Sequence, residues 1–120
     1  NMRFIILLAL VLFTQCDQDK EPIFCTEEFV YGLNVTVKDA NTSSIITENI
    51  AITARDGDFE EQLMTFEGIN HFLGAGERPG NYVLEITAEG YEDYTSEIIQ
   101  VDSDECHVIP KVLEIMLQPN

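Results

Sequence analysis

Three cysteines, two histidines and a few clustered carboxylates are the groups with which this chain of 120 residues could do chemistry. Cys106 and His107 are neighbours, and together with Cys25 they offer thiolate and imidazole ligands of the kind zinc takes. The acidic runs DGDFEE (56–61) and DSDE (102–105) supply hard oxygen donors suited to Ca²⁺. His71 stands beside a Gly-rich loop, where a small hydrolase could place its base. Arg78, in GAGERPGNY, is a lone cation in an exposed loop and could meet an acidic or glycan ligand. None of these groups has the spacing of a working device. There is no EF-hand loop, no H-E-x-x-H, no G-x-S-x-G and no Gly-rich phosphate loop. In a chain with 22 acidic residues such clusters arise by chance. The sequence therefore predicts no catalytic residue, no metal site and no cofactor.

The cysteines make better sense in the context of Cys16. Ten apolar residues (4–13) follow Arg3, half the roughly 20 that a spanning helix needs, and small and polar residues come next. That layout predicts a secretory signal peptide over residues 1–15. FTQC (13–16) resembles the lipobox of bacterial lipoproteins, with Gln15 where Gly, Ala or Ser is usual. The resemblance implies that Cys16 receives a diacylglycerol, that the leader is cut just before it and that the new amine is acylated. Acyl chains bury CH₂ groups at about 0.8 kcal/mol each, so two or three of them anchor a protein durably. Lipidation of Cys16 also resolves the odd cysteine count. It leaves Cys25 and Cys106 as a pair, and in an exported protein one thiol pair is expected to form a disulfide rather than a zinc site. The polar run DQDKEP (17–22) then reads as a tether, residues 16–24 in all, ahead of a domain over 25–120. Acidic residues directly behind the cysteine resemble outward-sorting signals of some Gram-negative envelopes, which implies an outer-membrane lipoprotein facing the periplasm or the cell surface.

Charge sets the outer limits on partners. Lys and Arg number 6 against 22 Asp and Glu, a formal net charge of −16, and loss of a leader carrying Arg3 makes it one unit more negative. Such a domain repels nucleic acid and anionic headgroups, so no nucleic-acid partner is expected. The two N-x-S/T sequons, at Asn34 and Asn41, read as coincidence in such a setting.

Behind the tether almost every segment alternates with a period of two. Residues 29–39 place Phe29, Tyr31, Leu33, Val35 and Val37 on one face; residues 48–57 place Ile50, Ile52 and Ala54 there and end in an Asp-Gly turn signal. Residues 58–68 fit a strand or a short helix, and Gly57 and Gly68 favour the strand. A short strand at 71–74 is followed by the clearest one, in which Tyr82, Leu84, Ile86 and Ala88 oppose Val83, Glu85, Thr87 and Glu89. Residues 92–101 continue as strand. The closing strand, 107–118, aligns Ile109, Leu113, Ile115 and Leu117, with Pro110 pointing to a sheet edge or a bulge. About seven short strands and no long amphipathic helix predict an all-β, antiparallel β-sandwich, transthyretin-like or Ig-like in layout.

FLGAGERPGNYVLEITAEGY (72–91), with Pro79-Gly80, Tyr82 and Gly90-Tyr91, resembles the carboxypeptidase regulatory-like domain, a transthyretin-like sandwich; residues 32–57 are similar to its opening hairpin and 105–119 to its last strand. The resemblance spans roughly residues 29–118 and implies architecture far more than function. Transthyretin-like hydrolases end in Tyr-Arg-Gly-Ser, whereas this chain ends in MLQPN. The expected function is a non-catalytic, lipid-anchored envelope module that binds an envelope protein or glycan or serves as structure. The competing readings are a small hydrolase around His71 and an adhesin- or pilin-like subunit that gains a strand at an exposed edge. Binding is expected at strand edges or in the loop holding Glu77, Arg78 and Asn81.

Overall fold

The computed structural model describes residues 23–120. The leader, Cys16 with its expected lipidation and most of the tether lie outside the described residues. Eight strands follow in order: β1 (Tyr31–Asp39), β2 (Ile50–Asp56), β3 (Phe59–Gln62), β4 (Phe72–Gly76), β5 (Gly80–Ala88), β6 (Tyr94–Thr95), β7 (Ile99–Val101) and β8 (Lys111–Leu117). There is no helix among the described residues. One sheet has the order β4-β1-β8; the other runs β3-β2-β5-β6, with β7 also paired to β5. The expected all-β sandwich is present.

The core forms where the alternation placed it. Leu33, Val35 and Val37 of β1 meet Ile52 and Ala54 of β2 and Tyr82, Leu84 and Ile86 of β5, all buried, with Val101, Ile115 and Leu117 added from β7 and β8. Each fully buried aliphatic or aromatic side chain contributes about 1.5–3 kcal/mol. Three residues assigned to this face by period alone, Phe29, Tyr31 and Ile109, lie outside the core. Phe29 precedes β1 and is exposed, its ring lying over Gly76 and edge-on to Tyr31; Ile109 precedes β8 and is half-exposed.

Local chemistry explains the breaks. Asp56 pairs with Phe59, so Gly57 and Asp58 form a two-residue turn, and Gly57 takes the positive φ of 62° that this turn needs. The ambiguous stretch after it is strand: β3 pairs with β2, and Met64 then bridges to Leu73 of β4, joining the two sheets along that side. The buried Leu63 side chain packs into the space a Cβ at Gly74 would take, so any larger residue there would displace it. Residues 92–101, expected as one strand, divide into β6 and β7. Thr95 opposes Glu85, but Ile99 opposes Tyr82, so one extra residue is inserted and Val83 faces both Glu97 and Ile98. Ser96 makes the insertion possible: its Oγ accepts the Leu84 N–H at 2.8 Å and donates to the Glu97 carbonyl at 2.7 Å, satisfying groups that leave the ladder.

All pairings but one are antiparallel. β8 runs parallel to β1, in register from Leu33 with Lys111 to Asp39 with Leu117, and is the last strand of its sheet, consistent with Pro110 just before it. Parallel strands begin at the same end of a sheet, which brings the approaches to β1 and β8 together. Cys25 and Cys106 lie on those approaches and are disulfide-bonded, their Cα atoms 5.2 Å apart across 81 residues of sequence. Closing so long a loop stabilises a fold by roughly 4.5 kcal/mol on chain-entropy grounds, against total stabilities of about 5–15 kcal/mol. Reduction should therefore lower the melting temperature by roughly 20 °C or more. An unchanged melting temperature on reduction, with both thiols labelling freely in the unreduced, denatured protein, would contradict the bridge.

Candidate functional site

The end of the sandwich that carries the disulfide also gathers the side chains singled out above. A tight turn presents Cys106 and His107: Asp104 Oδ1 accepts both of their backbone N–H groups, at 2.8 and 2.9 Å, and Ser103 bridges to Val108. Those two hydrogen bonds, from His107 N–H first, hold the Asp104 carboxyl below the usual range. Facing it, Ala75 near the end of β4 and Glu77 just beyond the strand both adopt left-handed backbone, with φ of 54° and 49°. Non-glycine residues hold this conformation at a cost, and only where their surroundings fix them. Here the surroundings do so. Ala75 N–H donates to Glu61 Oε1 at 2.7 Å, Glu77 N–H to the Val30 carbonyl at 2.8 Å, and Val30 N–H returns a bond to Glu77 Oε2 at 2.9 Å.

Glu77 is the hub. Its Oε2 lies 2.6 Å from His107 Nδ1, and its Oε1 accepts Val108 N–H at 3.2 Å. Partial burial pushes the Glu77 carboxyl up, but the hydrogen bonds from His107, Val30 and Val108 outweigh it and hold the group below its usual range. The same contact raises the His107 imidazole, against the opposing effect of burial. With the ring protonated, Nε2–H donates to Thr26 Oγ1 at 3.0 Å, and the Thr26 hydroxyl donates in turn to Glu28 Oε1 at 3.1 Å. Carboxylate, imidazole and hydroxyl thus stand in one line, and the hydroxyl proton at its far end is directed at Glu28. The line works as a clamp. It fastens Thr26 and Glu28, ahead of β1, to the sandwich beside the disulfide.

Arg78 is also engaged internally. Its guanidinium lies 3.8 Å from the centroid of the Phe59 ring, and Nη1 donates to Asp56 Oδ2 and to the Tyr82 hydroxyl, both at 3.0 Å. Tyr82 closes the loop by donating to the Arg78 carbonyl at 2.6 Å. The cation is thus a staple between the β2–β3 hairpin and the start of β5. Of the three residues assigned to a binding loop, Glu77 turns to His107, Arg78 turns to Asp56 and Phe59, and Asn81 is exposed. The acidic runs are likewise spent on the fold: Glu60 pairs with Arg55, Glu61 with Ala75 N–H, and Asp102 with Gln100. Among the described residues no group of three or more His, Cys, Asp or Glu gathers as a metal site would. His71 has a long contact of 3.4 Å to Asn70 Oδ1.

A second feature was not singled out in the sequence. Between β8 and the β6–β7 edge lies a cleft of about 360 Å³, floored by Leu113, Ile115, Tyr94 and Ile99 and rimmed by Glu97 and Glu114. Ile98, projected outward by the bulge, is 69% exposed, and Val112 on β8 is 74% exposed. The Ile-Ile pair at 98–99, which cannot place both side chains in one core, was the available signal. No protein-family model and no curated protein sequence matches the chain.

The clamp makes stability depend on pH in a defined way. A raised imidazole stabilises the fold fully below its unfolded value of about 6.5, and that stability is lost as pH rises through the folded value. The lowered carboxyls of Glu77, Asp104 and Asp39 (the last held by Tyr91 and by the N–H groups of Thr42 and Asn41) stabilise above about pH 4, and lose this as pH falls through their folded values. The melting temperature should therefore fall as pH rises above about 6.5, through the raised folded value of His107. His107→Gln should flatten that alkaline limb and leave the acid limb in place; an alkaline limb unchanged in the variant would rule out the clamp as its cause.

Proposed function

We propose that this chain is a lipid-anchored β-sandwich module of the bacterial envelope, held at the outer membrane through Cys16, which acts by binding or by position and turns nothing over. The observation that carries the reading is the cysteine accounting. The disulfide takes Cys25 and Cys106 and leaves Cys16, the one cysteine that stands at the end of an apolar run and in front of an acidic tether. The clamp at Thr26 and His107 supports it too, because it lies where a tethered domain would transmit its orientation from the membrane. Likeness to the carboxypeptidase regulatory-like domain fits Pro79 and Gly80 at the start of β5 and the Glu89-Gly90 turn that follows the strand, and the expected envelope setting makes an envelope protein or glycan the partner. The carboxylates engaged in internal contacts, and the Thr26 hydroxyl proton directed at Glu28, favour binding over hydrolysis.

Intact-mass analysis of protein taken from the native membrane fraction tests the reading. The expected mass starts at Cys16 and carries two or three acyl chains, and Cys16→Ala releases the protein from the membrane or leaves its leader uncut. A soluble mature form that begins downstream of Cys16 and carries no acyl mass would sink it.

A further inference from the structure

We propose that the seam between β8 and the β6–β7 edge receives an extended segment of another protein, one that alternates apolar residues with Lys or Arg and adds as a strand to β8. This inference rests on the binding-module reading and gives it a site and a partner chemistry. On the opposite side of the sandwich the Met64–Leu73 bridge joins the sheets; here the Tyr91–Pro119 and Ser103–Val108 bridges close the two ends of the seam, and between them the β8 and β6–β7 edges face each other across the cleft without pairing.

The two edges are not equivalent. Exposed edges are normally guarded by bulges, proline or charge. The β6–β7 edge carries a bulge at Glu97-Ile98 that breaks its ladder. β8 has Pro110 and Lys111 at its start, but VLEIML (112–117) continues with a single charge, Glu114, itself bonded to Lys38 at 2.7 Å. A strand laid along β8 would use the outward backbone groups that β1 leaves free. Every second side chain of that strand would enter the cleft, against Leu113, Tyr94 and Ile99, and the alternate ones would lie on the outer face beside Glu114. The Glu97 carboxylate, without a partner among the described residues, lies across the same cleft. Charge selects the occupant. A second copy of the chain would bring its own formal charge of −16 to a rim already lined by carboxylates, whereas Lys or Arg on the outward face meets them favourably.

The full chain in detergent micelles is titrated with a fluorescein-labelled, end-blocked octapeptide of alternating Val and Lys, and with its Val–Glu counterpart. Amide hydrogen exchange then locates the contact. The Val–Lys peptide should bind and protect amides within β8, the Val–Glu peptide should not bind, and the Glu97→Lys, Glu114→Lys double variant, at exposed positions, should weaken binding about tenfold with an unchanged near-UV spectrum. Absence of binding, protection confined to another segment, equal binding of the two peptides or self-association of the chain through β8 would each overturn the seam proposal. None of these outcomes touches the acyl mass, which decides the anchoring separately.

Discussion

The parallel pairing of β1 with β8 organises everything else in this fold. Seven consecutive residues, Leu33–Asp39, run beside Lys111–Leu117, joining the first strand to the last across nearly the whole domain. Such a contact closes a long loop before it returns any energy, and is intrinsically slow to form. It also has a geometric consequence that an antiparallel pair lacks. Both strands start at the same end of the sheet, so a single disulfide between Cys25 and Cys106 can hold the two strand starts together. Ile115 and Leu117 reach the core only because this register sets them beside Val37 and Asp39.

The same end of the molecule holds the contact between Glu77 and His107. The turn that carries Cys106 also carries His107, and the loop leading into β5 presents Glu77 in a left-handed conformation aimed at it. In a domain with so large an excess of carboxylates, the few cations are placed with economy: Arg55 joins Glu60 to Glu85, Arg78 joins Asp56 to two aromatic rings, and Lys38 holds Glu114 across the β1–β8 pair. Exposed pairs of this kind are individually weak, about 0–1 kcal/mol. Their value here is that each crosses between strands or loops and relieves repulsion where carboxylates lie side by side, Arg55 within the β2–β3 hairpin as well as to β5.

Much of this was legible from residue types. The alternation of Tyr82, Leu84 and Ile86, the Asp-Gly turn and the cysteine parity lead to the core strand, the β2–β3 hairpin and the disulfide, because each depends on local geometry or simple counting. What escaped depends on partners far away in sequence. Nothing in VLEIML states that it lies parallel to β1. The bulge at Val83 arises from a serine side chain replacing a backbone acceptor, and the stacking of Arg78 on Phe59 requires the hairpin to be folded first. Phe29 has the right period for the core yet lies before the strand begins, where its ring covers Gly76. The binding loop assigned to Glu77, Arg78 and Asn81 was located by the rarity of its cation, and rarity also marks a residue the fold itself needs.

The most direct test is the direction of β8, read from cross-strand nuclear Overhauser effects in the oxidised protein. The structure predicts contacts that advance together along both strands, Val35 with Leu113 and then Val37 with Ile115. A crossed pattern, with Val35 against Ile115 and Val37 against Leu113, would mean an antiparallel closure and would contradict the account of how the two ends of this domain are held.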